Sequence, residues 1–160
     1  MSAAVFGGYG VFGSQVAREL ARLKVMVTVA GRDRARAETL AAALGPGHRW
    51  VAADATDAAS CRAALAGASV AVHCAGPFSE LGTALHAACL EAGVHAVDIA
   101  DDRRHAAAVR SLGPRFRERG LAAVWGASSL PGLSGALATL AGGDGPPPDA
   151  ARVVLFIGND

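Results

Sequence analysis

Hydrophobic positions along this chain alternate between short unbroken runs and stretches in which they recur every three or four residues. Ala3 to Gly7 reads as a buried strand. After it, Phe12, Val16, Leu20 and Leu23 follow at helical spacing, which predicts one buried helix face. Val25 to Ala30, rich in branched residues, predicts a second strand, and Leu40 and Leu44 mark the face of the helix after it. Gly45-Pro46-Gly47 stops that helix. The pattern continues with a strand at about His48 to Ala53, a short alanine-rich helix at Ala58 to Ala66 and a strand at Val70 to Cys74. A helical stripe of Leu81, Leu85, Ala88 and Ala92, closed by Gly93, leads to a strand at His95 to Ile99.

Beyond that strand, Asp101 or Asp102 is placed to cap a helix whose His105, Val109, Leu112 and Phe116 share a face, and Gly113-Pro114 must kink or divide it. Leu121 to Trp125 predicts a sixth strand. Ser129-Leu130-Pro131-Gly132 predicts the start of a last helix, with Ser129 as cap and Pro131 in the first turn. Strands alternating with helices in this way predict parallel strands joined by crossover helices. The expected fold is α/β, a doubly wound, mostly parallel sheet of about six strands. Residues 142–149, rich in glycine and proline, read as a linker after a domain spanning 1–141. Residues 150–160 then read as the first strand of a truncated second domain or as an added edge strand.

Composition narrows the function. The chain has 160 residues, 52% hydrophobic and 18% charged, and a net charge of +1 from 15 basic and 14 acidic residues. No broad field exists to draw in nucleic acid or an anionic membrane, so an anion site must be local. No stretch reaches the length of a membrane span, and the start of the chain lacks a signal-peptide pattern. Cys61, Cys74 and Cys89 are odd in number and lack a C-x-x-C pair, which fits reduced thiols and a cytoplasmic protein.

The local anion site is Gly8-Tyr9-Gly10-Val11-Phe12-Gly13, a G-x-G-x-x-G loop between a strand and a helix. In the Rossmann arrangement Gly8 permits the tight turn, Gly10 lets the backbone approach a diphosphate, and Gly13 lets helix and strand pack closely. The N–H groups at the helix start, those of Val11, Phe12 and Gly13, face the anion. NAD-preferring proteins place an acidic residue at the end of the second strand. This chain has Ala30-Gly31-Arg32 there, and the Arg32 guanidinium suits a 2′-phosphate. NADP is therefore expected in preference to NAD. Asp33 is an alternative ribose ligand, and Arg34 or Arg36 an addition to Arg32. Asp54 is placed either to bond the adenine amino group or to cap the next helix with Thr56 or Asp57. Ala75, Gly76 and Pro77, at the carboxyl edge of the fourth strand, are placed to line the nicotinamide ribose.

Other chemistry finds less support. His86 and Cys89, three apart on one helix, have no second spaced pair to complete a metal site, and no metal is expected. Successive residues His73 and Cys74 point to opposite faces of a strand. The single lysine, Lys24, and the single tyrosine, Tyr9, cannot form a Tyr-x-x-x-Lys pair. Ser128 and Ser129 lack a histidine placed to activate them and read as helix caps.

Taken together, Val5 to Gly13, Ala30-Gly31-Arg32, Cys74-Ala75-Gly76-Pro77-Phe78, Ala96-Val97-Asp98-Ile99 and Ala127 to Ser134 resemble the NADP-binding domain of the saccharopine dehydrogenase-like family. The resemblance covers about residues 3 to 140. It implies a pyridine-nucleotide oxidoreductase whose second, sheet-built domain, beginning near Arg152, closes over the nicotinamide and holds an unidentified small-molecule substrate. In that family the second domain often dimerises, which allows a homodimer. It names no catalytic residue, and turnover by this chain alone is not expected. The alternative from a different class is a non-catalytic NADP-sensing module that binds a protein partner.

Overall fold

In the computed structural model, which describes residues 1–142 and 145, six strands and seven α-helices follow one another along the chain. They are β1 (Ser2–Phe6), α1 (Val11–Arg22), β2 (Met26–Gly31), α2 (Arg34–Leu44), β3 (Arg49–Ala52), α3 (Ala58–Leu65) and β4 (Val70–His73). There follow α4 (Ala84–Ala92), β5 (His95–Asp98), α5 (Arg103–Ser111), α6 (Gly113–Glu118), β6 (Ala123–Val124) and α7 (Ser134–Gly142). The linker and final strand expected at 142–160 lie almost wholly outside the described residues.

The six strands pair in parallel in the order β3-β2-β1-β4-β5-β6. The chain reverses its direction of progress across the sheet between β1 and β4, so the crossovers that flank this point leave a crevice at the carboxyl edge. Register follows the pleat. Phe6 lies opposite His73, and His73 opposite Asp98, on one face; Val5 opposes Val29 and Val72 on the other.

Each face has its own core. Val5, Val27 and Val29 pack with Ala17 of α1 and Ala37, Leu40 and Ala41 of α2. Ala4, Phe6, Ala71 and Ala96 pack on the other face with Cys61, Leu65, Leu85, Cys89, Leu90 and Phe116 from α3, α4 and α6. Trp50 sits on edge strand β3 under the Arg34 guanidinium, 4.7 Å from its carbon. Trp125, 37% exposed, follows β6 at the opposite edge.

Three helix starts rest on aspartates. Asp33, Asp57 and Asp102 accept hydrogen bonds from the N–H groups of Arg36, Ala59 and His105. Asp102 rather than Asp101 therefore caps α5, and Asp57 rather than Asp54 or Thr56 caps α3. The break at Gly113-Pro114 divides α5 from α6, with His105, Val109 and Phe116 buried on the shared face.

Three sequence expectations are corrected. In α1 the buried positions are Gly13 and Ala17, with Val16 and Leu20 partly buried, while Phe12 and Leu23 are 64% and 57% exposed. The helix lies too close to the sheet for large side chains at its contact. In the α4 region Leu81 precedes the helix and Ala92 faces outward; Leu85, His86, Ala88, Cys89 and Leu90 are buried. The last helix does not start on Ser129: Leu130 is extended, Ser129–Leu133 forms a separate turn, and α7 begins at Ser134. Neither Ser128 nor Ser129 makes a side-chain capping bond.

Candidate functional site

Four successive strand ends meet at the crevice. A cleft of about 420 Å³ opens there, lined by Gly7 and Gly10 after β1, Gly31 and Arg32 after β2, Asp54 and Thr56 after β3, and Ala75, Gly76 and Pro77 after β4. The crevice is built by close backbone contact. Gly7 has φ +68, and a Cβ there would stand 2.6 Å from the Ala75 nitrogen, so glycine is required both for the left-handed turn and for the approach of the two strand ends. A Cβ at Gly13 would collide with the Gly7 carbonyl oxygen, and one at Gly8 would lie 2.8 Å from the Val5 carbonyl oxygen. The left-handed residue of the loop is thus Gly7, not Gly8. Gly8 and Gly13 shape the loop from behind, and of the expected loop residues Gly10 lines the cleft.

The N–H groups of Val11, Phe12 and Gly13 open α1 without a backbone partner among the described residues, and Gly10 caps that helix with no side chain. The Val11 and Phe12 side chains are exposed.

Tyr9 ties the loop to the next turn. Its hydroxyl accepts the Asp33 N–H at 2.8 Å, its carbonyl accepts from the Arg36 guanidinium at 3.2 Å, and that guanidinium lies over its ring. A Cβ on Gly31 would overlap the same ring. Of the arginines following β2, Arg34 pairs with Glu38 and stacks on Trp50, and Arg36 is held by Tyr9. Arg32 makes no ion pair or side-chain hydrogen bond among the described residues and lines the cleft. Asp33, committed to its helix cap, does not line it.

Asp54 turns on itself: one carboxylate oxygen accepts from both the N–H and the hydroxyl of Thr56, at 2.9 and 2.7 Å. Those bonds, with the charge of Arg32, hold its carboxyl below the usual range. Cys74, also on the cleft wall, is a free thiol that burial pushes up to about 11.

Behind the β4 turn, on the other face of the strand, stands a group that the sequence spacing did not bring together. His86 and His105 each share a hydrogen bond with the same oxygen of Asp98, at 3.1 and 3.2 Å, and all three are buried. Burial alone would raise the Asp98 carboxyl, but bonds from His86 and from the N–H groups of Gly126 and Ala100 bring it down to about 2. His73 adjoins them, its imidazole lowered to about 3 by burial and by its two histidine neighbours. The pairing of His86 with Cys89 weighed on spacing is not the one the fold makes.

This geometry is that of a dinucleotide crevice, and sequence comparison names it. A family model described as the saccharopine dehydrogenase NADP binding domain matches residues 4–124. The chain belongs to that family. Its cofactor is accordingly NADP. No curated protein matches the sequence. Among solved structures, this NADP-binding domain is similar to apo saccharopine dehydrogenase (L-Glu forming) from Saccharomyces cerevisiae. The TM-score is 0.68 at 21% identity, over 83% of this chain and 28% of that one. It is similar also to 3-hydroxyacyl-CoA dehydrogenase type-2 from Mycobacterium avium, with TM-score 0.63, 18% identity, and 75% and 69% of the two chains covered. Sorbitol-6-phosphate 2-dehydrogenase from Erwinia amylovora gives 0.59 at 19% identity, over 77% and 69%. These likenesses show the fold. The NADP-binding domain spans little more than a quarter of the length of the yeast enzyme. Among the described residues, no helix is long and apolar enough to cross a membrane.

Proposed function

We propose that this NADP-binding domain serves an oxidoreductase, holding NADP or NADPH in the cleft for hydride transfer to a substrate bound by a second domain. In this reading the diphosphate lies over Gly10 and the N–H groups of Val11, Phe12 and Gly13, where an open helix terminus favours an anion. Arg32 takes the 2′-phosphate, Asp54 the adenine end, and Ala75, Gly76 and Pro77 the nicotinamide ribose. Gly8 and Gly13 act by keeping the loop close to the sheet.

The observation that carries the reading is the pair Gly31 and Arg32. Tyr9 fills the space where a side chain at position 31 would project, so the turn has no room for the acidic group that holds a free ribose. The next residue is an uncommitted guanidinium. A charge-assisted bond is worth about 1.5–3 kcal/mol, roughly ten- to a hundredfold in affinity. Hydride transfer also needs a proton donor or acceptor at the substrate. Lys24 stands between α1 and β2 at the edge opposite the cleft, and the Tyr9 hydroxyl is engaged with Asp33. That supports a substrate-facing group supplied from elsewhere.

Calorimetric titration tests the assignment. NADP should bind roughly ten- to a hundredfold tighter than NAD, and Arg32→Ala should remove most of that difference while leaving NAD affinity unchanged. Equal affinities in the unaltered protein, or an undiminished preference in Arg32→Ala, would sink it.

A further inference from the structure

Two of the five histidines bond one carboxylate and a third adjoins them, on the face of the sheet that carries Phe6. They arrive from separate elements: His73 ends β4, His86 lies in α4, Asp98 ends β5, and His105 lies in α5. The Nε2 atoms of His86 and His105 and one carboxylate oxygen of Asp98 all lie within 4.8 Å of one another. We propose that His86, Asp98 and His105 bind one divalent ion of the zinc class through these three donors.

Distance is the first support. Donor bonds of about 2.0–2.2 Å around a tetrahedral ion set neighbouring donor atoms about 3–3.5 Å apart. Both histidine nitrogens already stand 3.1 and 3.2 Å from Oδ2. The carboxylate is also held for the task. Its other oxygen accepts from the N–H groups of Ala100 and Gly126, at 3.0 and 2.9 Å, so the oxygen facing the histidines has a fixed direction.

Charge is the second. Asp98 is 0% exposed, and no lysine or arginine pairs with it among the described residues. Four hydrogen bonds satisfy the buried carboxylate, and a divalent ion would place a fixed positive charge beside it. The third is a set of uncommitted ring nitrogens: the Nδ1 atoms of His73, His86 and His105 are all buried without a partner among the described residues, and the His73 ring lies 6.1 and 6.2 Å from those of His86 and His105. Two imidazoles with one carboxylate suit zinc and its first-row neighbours better than calcium or magnesium, which take oxygen shells.

Cobalt(II) is the probe, because its visible spectrum separates low-coordinate from six-coordinate sites. Metal-depleted full chain should take up one equivalent with the strong absorption of a low-coordinate ion, and zinc should displace it. Excess zinc should raise the unfolding temperature, as expected of a ligand bound only by the folded state. His86→Gln and His105→Gln should each weaken cobalt binding more than about tenfold, with NADP titration reporting that each variant is folded. His48→Gln and His95→Gln should leave it unchanged. A weak six-coordinate spectrum, no zinc-dependent rise in unfolding temperature, or equal loss in the His48 and His95 variants would overturn the site. The spectrum and the melting shift of the unaltered chain decide the matter even if a buried variant does not fold.

Discussion

Single residues in this site act by what they leave empty. Gly31 is bare because the Tyr9 ring occupies the volume above it. Gly31→Ala is therefore expected to destabilise the fold by about 1–3 kcal/mol through overpacking, and to cost much less in a Tyr9→Ala background. Urea unfolding of the two single variants and the double variant measures the coupling; additive effects would contradict the contact. The sequence made Gly10, Arg32, Asp54 and Ala75-Gly76-Pro77 legible as neighbours because each follows a strand, and strand ends share one edge. It did not reveal Gly7, since nothing in a run of glycines says which one takes positive φ. Nor did it reveal the Tyr9 ring above Gly31. The cluster at Asp98 stayed hidden for another reason: its members lie on four elements, and no local spacing links them.

At the scale of elements, the divisions between strands and helices were readable and the faces less so. Gly113-Pro114 splits α5 from α6 as expected, because proline lacks the N–H that would continue the helix. The buried face of α1 departs from the stripe because large residues dominate a periodicity count, whereas this helix presses Gly13 and Ala17 against the sheet. α7 starts later than the pattern implies because Leu130 is extended within a segment that looks like a helix cap. Between two adjacent aspartates the pattern could not choose, and the hydrogen bond to His105 does. Asp102→Ala should cost about 1 kcal/mol in denaturant unfolding. Asp101→Ala, which removes no cap, should stay within about 0.5 kcal/mol of the parent.

For the whole molecule, the three thiols give stability a pH dependence. Burial is the main cause that moves Cys61 and Cys74 from 9.0 up to about 11 and Cys89 to about 12. As pH rises past 9 the unfolded chain releases protons that the folded chain retains, so the equilibrium shifts toward unfolding. The contribution is intact below about pH 9 and is lost as pH climbs toward 11 and 12. The urea midpoint should fall between about pH 8 and about pH 10.5, and replacing Cys61 and Cys89 by alanine should flatten that fall; a parent profile already flat would contradict it. The sheet itself offers a way to watch such changes. Its two tryptophans stand at opposite margins, Trp50 on β3 and Trp125 beyond β6. Their emission therefore makes a pair of built-in lamps, one for each border. Chains carrying a single lamp, Trp50→Phe or Trp125→Phe, should dim or shift at one shared denaturant concentration if the domain melts as a unit. Separate midpoints would show the sheet unzipping from one side.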